Sequence, residues 1–197
     1  MKVVAFSGSA RKNGNTAILI GHVLEELQKE GIDTELVQLA GRKIRGCRAC
    51  YKCAKNKDRR CSIDNDIVNE CIGKMLEADG IILGSPVYFA NMSTELKALV
   101  DRSGLVMRVN GDLLRRKVGA AVVAVRRAGG VHVFDSINHF FFIGQMIVPG
   151  SSYWNIGQGK EIGDVEKDKE GIETMKTLGR NMAWLLKKTA AKKKKDR

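Results

Sequence analysis

The sequence predicts an α/β protein built on a doubly wound, five-stranded parallel sheet with helices on both faces. Three observations predict it. Short β-branched apolar segments alternate with segments of helical period along the whole chain. The short segments are apolar almost throughout, as strands covered on both faces must be. Glycine or proline closes several of them, marking the turns between elements.

Segment 2–7 is the first strand, and Gly8 follows it. Asn15 is placed to cap a helix from Thr16, with Ile20, Val23, Leu24 and Leu27 on its apolar stripe and Gly31 at its end. Segment 33–39 alternates as a second strand. Asp64 or Asn65 is placed to cap a helix carrying Ile67, Cys71, Met75 and Leu76. Segment 80–85 is the third strand and runs into Pro86, with a helix over 94–102. Segment 117–125 is the fourth strand, broken by Gly129-Gly130 ahead of a helix through Phe140. Segment 145–148 reads as the fifth strand, and the last helix as 168–188.

A chain of 197 residues, 44% hydrophobic and 28% charged, suits one globular domain. That domain is expected over 1–188, with a cysteine-rich insertion at 42–62 and a basic, disordered tail at 189–197. No apolar run approaches the ~18 residues of a membrane span. The opening Met1-Lys2-Val3-Val4-Ala5-Phe6-Ser7 reaches Gly8 too soon for a signal peptide. A cytoplasmic location and no membrane partner are therefore expected.

The net charge of +12 is concentrated in two places. Nine basic residues stand against Asp58 in 42–60, and seven against Asp196 in 187–197, leaving the rest near neutral. No nucleic-acid recognition motif accompanies that charge, so nucleic acid is not an expected partner.

Between the first strand and first helix lies Ser7-Gly8-Ser9-Ala10-Arg11-Lys12-Asn13-Gly14-Asn15-Thr16. A helix start offers unpaired backbone N–H groups and a partial positive charge. Gly8 and Gly14 allow a tight turn, Ser9, Asn15 and Thr16 offer short polar groups, and Arg11 adds charge. The set suits a terminal phosphate monoester. It is neither a G-x-G-x-x-G fingerprint nor a Walker loop.

The segment resembles the FMN-phosphate loop of the flavodoxin-like NAD(P)H-dependent FMN reductases, close to G-S-x-R-x-x-x-N-T, through Gly8, Ser9, Arg11, Asn15 and Thr16. Two later loops extend the resemblance. Gly84-Ser85-Pro86-Val87-Tyr88-Phe89 is similar to the family's flavin-wrapping loop, and Arg126-Arg127-Ala128-Gly129-Gly130 to its glycine pair beside the ring. The resemblance covers nearly the whole chain, including segments 152–157 and 168–171, for which no chemical role is assigned. It implies strand order 2-1-3-4-5 and one FMN per chain. The phosphate would sit on Ser7, Ser9, Arg11, Asn15 and Thr16, and the ring against Ser85, Pro86, Val87, Tyr88, Phe89, Arg127, Gly129 and Gly130. NAD(P)H would be the co-substrate. No catalytic side chain is expected, because the flavin carries the chemistry.

Cys47, Cys50, Cys53 and Cys61 fall within fifteen residues. Gaps of two residues on an irregular loop can aim sulfurs at one centre. Zinc on four thiols and plain free thiols are alternative readings. The segment resembles the compact motif of the iron–sulfur flavoproteins, a branch of the same fold, which implies a [4Fe–4S] cluster on these four residues. The loop has little apolar content beyond Tyr51, so without metal it is expected to be mobile. Cys71, at helical spacing beside Met75, reads as a core thiol. The expected partners are a small-molecule or protein electron acceptor or donor, ferredoxin among them, and further copies of the chain in a homodimer or homotetramer through Phe140, Phe141, Phe142, Tyr153 and Trp154. An electron carrier without its own substrate is the alternative function.

Overall fold

The computed structural model describes the backbone of residues 1–195, with side chains described through Thr189. Five strands form one parallel sheet in the order β2-β1-β3-β4-β5. They are β1 (Lys2–Ser7), β2 (Asp33–Gln38), β3 (Gly80–Pro86), β4 (Val118–Val125) and β5 (Ile156–Gln158). The helices are α1 (Asn15–Lys29), α2 (Lys52–Asn56), α3 (Val68–Glu77), α4 (Thr94–Val109), α5 (Gly130–Ile143) and α6 (Lys169–Lys195). A 3-10 turn at Asp164–Lys167 precedes α6.

Alternation along each strand sends side chains to two separate cores. Val4 and Phe6 of β1 join Leu39, Ile72, Met75, Leu83, Leu96 and Phe141 on one face. Val3 and Ala5 join Ile20, Leu27, Ile82, Val122, Met175 and Met182 on the other. Both faces of the sheet are covered, which explains the unbroken apolar character of β1, β3 and β4. Strand order reverses between β1 and β3, and the crevice at their carboxyl ends is where open parallel sheets bind ligands. There Gly8 N–H donates to Gly84 O at 2.8 Å. A Cβ on Gly8 would lie 2.7 Å from Leu96 Cβ and 2.8 Å from Ser93 Oγ, so this close approach requires glycine.

Several expectations are corrected. The fifth strand is Ile156–Gln158, not 145–148. Ile147 makes an isolated bridge to Val118, and Pro149, which lacks an N–H, and Gly150 then interrupt the edge. The chain rejoins β4 nine residues after Ile147, opposite Val123, Ala124 and Val125. Asn15 is the first residue of α1, and its side chain does not cap the helix. Asp66 rather than Asp64 or Asn65 serves α3, its Oδ1 accepting from Val68 N–H at 3.1 Å. Helix α4 runs a further two turns past Arg102. Helix α6 carries on to Lys195. That is seven residues past the expected end at 188, and alanine and lysine extend helices well. Asp196 and Arg197 lie outside the described residues.

The two late segments without a chemical role turn out to join β5 to α6. Asp168 accepts from Gly171 N–H at 3.0 Å through Oδ1 and from Gln158 N–H at 2.7 Å through Oδ2. Asn155 is buried, and its Nδ2 donates to Ala121 O at 2.9 Å. No helix among the described residues is long and apolar enough to cross a membrane.

Candidate functional site

Four segments converge on one cavity at the switch point. Its walls are Ser9, Arg11, Asn15 and Thr16 from the β1–α1 turn, Pro86, Val87 and Tyr88 after β3, Ala124 and Arg126 at the end of β4, and Gly159 and Lys160 after β5. The β1–α1 turn is held from two sides. Asn13 and Gln38 exchange hydrogen bonds of 2.9 and 2.7 Å. Asn15 Nδ2 donates to Glu161 O at 2.8 Å while its Oδ1 accepts from Gly163 N–H at 2.8 Å. Arg11 Nη1 donates to Lys160 O at 2.9 Å. The residues after β5 are thus strapped across the turn.

Thr16 is 1% exposed, and its Oγ1 has no hydrogen-bond partner. A buried unpaired hydroxyl is costly. Here it belongs to a cavity wall that also carries Ser9, Arg11 and the start of α1. That is the chemistry a phosphate needs, so the residues present fit the phosphate end of FMN.

Not every expected residue lines this cavity. Ser9, Arg11, Asn15, Thr16, Pro86, Val87 and Tyr88 do. Ser7 is buried at the end of β1. Ser85 is fully buried, and its Oγ accepts from Ser93 N–H at 2.9 Å and donates to Pro86 O at 2.7 Å, which sets the start of α4. Phe89 stands fully exposed at φ 48°. Gly129, at φ 84°, packs so that a Cβ would meet Ala90 Cα and Val87 Cγ1, both at 3.2 Å. The loop after β4 therefore braces the loop after β3. A Cβ on Gly130 would meet Ile156 Cδ1 at 2.9 Å. Arg127 lines a different concavity with Tyr153, Trp154 and Glu170. Arg126, Ala124, Gly159 and Lys160 are wall residues that the sequence reading missed. Gly159 and Lys160 directly follow β5, so correct placement of that strand would have found them.

The 42–62 insertion forms a second concavity. Cys47, Cys50, Cys53 and Cys61 all line it, with Ile63, Arg102, Leu105 and Val106. The loop bends through four left-handed non-glycine residues, Ala49, Tyr51, Lys57 and Arg59, a conformation that surrounding structure must hold in place. Polar anchors from α3 and the end of α4 do so. Asn69 accepts from Cys61 N–H at 2.8 Å and donates to Cys61 O at 2.9 Å. Asn110 accepts from Arg59 N–H at 3.2 Å.

Among the described residues no group of three or more His, Cys, Asp or Glu stands close enough to hold a single metal ion. Four thiols around one concavity would suit an iron–sulfur cluster held by cysteine thiolates.

Cys50 is exposed and its thiol is lowered to about 7, chiefly by its hydrogen bond with Ser62 and then by the Lys52 N–H. Burial pushes the Cys71 thiol up to about 12. In metal-free protein, alkylation at Cys50 is expected to rise with pH through about 7. Cys71 should stay unmodified until the protein unfolds. Mass mapping of iodoacetamide adducts across a pH series checks both.

Burial works against the Asp66 carboxylate, but the Arg102 guanidinium and the N–H groups of Val68 and Arg45 hold it below the usual range.

The chain is similar in sequence and fold to known proteins. The profile of the NADPH-dependent FMN reductase family matches residues 1–161. An iron-sulfur flavoprotein of Methanocaldococcus jannaschii is 43% identical over 95% of this chain and 98% of its own length. Another, from Methanosarcina thermophila, is 36% identical over 94% of this chain and 95% of its own. Two solved structures share the fold. RosB with bound 8-demethyl-8-formylriboflavin-5'-phosphate has a TM-score of 0.78 at 19% identity, over 97% of this chain and 81% of that one. A WrbA-like flavodoxin of Agrobacterium tumefaciens has a TM-score of 0.65 at 15% identity, over 95% and 97%. A glycine-turned loop at the switch point, four cysteines around one pocket and relatives matched end to end lead to one conclusion: the chain belongs to the NADPH-dependent FMN reductase family, in its iron–sulfur flavoprotein branch.

Proposed function

We propose that the protein is an FMN-dependent oxidoreductase that takes electrons from NAD(P)H and passes them to a small-molecule or protein acceptor, with a [4Fe–4S] cluster on Cys47, Cys50, Cys53 and Cys61. The observation that carries the flavin reading is the buried, unpartnered Thr16 Oγ1 in the wall of the switch-point cavity. When bound, FMN supplies hydride and one-electron chemistry and the cluster supplies single-electron transfer. The chain's own part is binding and exclusion of water. Ser9, Thr16 and the start of α1 receive the phosphate, and Arg11, Arg126 and Lys160 supply positive charge. Pro86, Val87 and Tyr88 form an apolar wall for the ring.

The carrier reading has its own support. Cys47 and Cys50 are exposed on a loop with nine basic residues, which suits docking of an acidic redox protein such as a ferredoxin. Anaerobic NAD(P)H oxidation with flavin-loaded protein separates the two. The enzyme reading predicts sustained turnover with an added acceptor; negligible oxidation of both NADH and NADPH would leave the carrier.

A homodimer or homotetramer remains part of the proposal, with its contact revised. Phe140 and Phe141 are buried core residues, so they provide no contact surface. Phe142, Ile143, Tyr153 and Trp154 are each more than half exposed. Light scattering at micromolar concentration is expected to give at least twice the chain's mass. A monomer with FMN bound would rule the contact out.

A further inference from the structure

Arg102, on the middle turns of α4, is the largest of the fully buried side chains. Its guanidinium reaches both ends of the cysteine loop. Nη1 donates to Arg45 O at 3.0 Å, two residues before Cys47, and also pairs with Asp66 Oδ2. Nη2 donates to Ile63 O at 2.8 Å, and Nε donates to the Cys61 sulfur at 3.3 Å. The side chains of Arg102 and Asp66 are 0% and 2% exposed.

A buried ion pair is weak support for stability by itself, because well-packed apolar groups often replace one at no cost. What an apolar replacement could not supply is the directed N–H on sulfur. Asp66 offsets most of the arginine's charge, so that N–H is what chiefly reaches Cys61. Hydrogen bonds to ligating sulfurs take up negative charge and ease reduction of an iron–sulfur centre. Lysine has no Nε donor in a fixed fork and cannot reproduce the contact.

We infer that Arg102 is a positioning residue that presents Cys61 as a ligand and raises the reduction potential of the cluster at this site. The inference rests on the cluster reading above. It is tested on full-length protein reconstituted anaerobically with iron and sulfide. Wild type is compared with R102K and with the double variant R102Q/D66N, which removes the pair together and leaves no buried charge unpaired. Iron per chain, FMN per chain and potentiometric titrations of cluster and flavin are the readouts. The variants are expected to hold iron and FMN as wild type does. At a fixed solution potential their reduced-to-oxidised cluster ratio should fall about tenfold, the worth of one charge-assisted hydrogen bond, equal to about 59 mV for one electron. The flavin couple should stay in place.

An unmoved cluster potential in iron-loaded variants overturns the inference alone. So does an equal shift in both couples, or loss of FMN together with iron, since either marks a general structural role. Loss of iron from R102K with FMN retained overturns the claim on the potential, since the arginine would then be needed only to assemble the site. Wild type that takes up no iron overturns the cluster reading first, and this inference with it.

Discussion

Thr16→Val is expected to weaken FMN binding by about 1.5–3 kcal/mol, roughly ten- to 150-fold, while leaving the flavin-free protein as stable as wild type or slightly more so. The two halves of this result have one cause. Valine matches threonine in shape but lacks the hydroxyl that is buried without a partner. In the flavin-free state that hydroxyl costs desolvation and returns nothing. Beside a phosphate it becomes a charge-assisted hydrogen bond. Ordinary structural damage would lower affinity and thermal midpoint together. Titration by flavin fluorescence and a melting curve of the flavin-free protein check both halves. Arg11→Ala is a less clean probe, because Arg11 also holds the carbonyl of Lys160 and with it the strap after β5.

Cysteine substitution should produce the largest change in composition. Serine at Cys47, Cys50, Cys53 or Cys61 is expected to reduce iron in anaerobically reconstituted protein from about four per chain to near zero, with FMN still at about one per chain. A four-thiolate cluster loses its closed ligand set when one sulfur goes. The cysteine pocket and the flavin cavity share no lining residue, so flavin binding has no reason to follow. Cys71→Ser is the control. Cys71 is fully buried in the core and lines neither site, and iron content should not change. Iron unaffected by all four substitutions would point to free thiols.

Four of the five strands and the β1–α1 turn were legible because their signals are local. β1, β3 and β4 are buried on both faces and read as continuous apolar runs, and the turn after β1 carries its chemistry within ten residues. β5 is different. Ile156-Gly157-Gln158 has one apolar side chain and a glycine, and its place is set by pairing with β4 rather than by its own pattern. Losing β5 hid Gly159 and Lys160, which the strand delivers to the cavity. Arg102 was illegible for another reason. Asp101-Arg102-Ser103 looks like a solvated helix face, and the partner that makes burial tolerable is Asp66, thirty-six residues away. The cysteine loop was judged by its lack of apolar residues, which predicts mobility. Its anchors are polar groups on α3 and α4, whose reach depends on the tertiary fold.

The central claim is that the turn from β1 into α1 holds the phosphate of FMN. Parallel titration of flavin-free protein with FMN and with riboflavin, which lacks the phosphate, tests it most directly. The predicted result is saturation at one FMN per chain and riboflavin binding weaker by about a hundredfold, the loss of two charge-assisted hydrogen bonds. Riboflavin binding as tightly as FMN, or no binding of either, would contradict it.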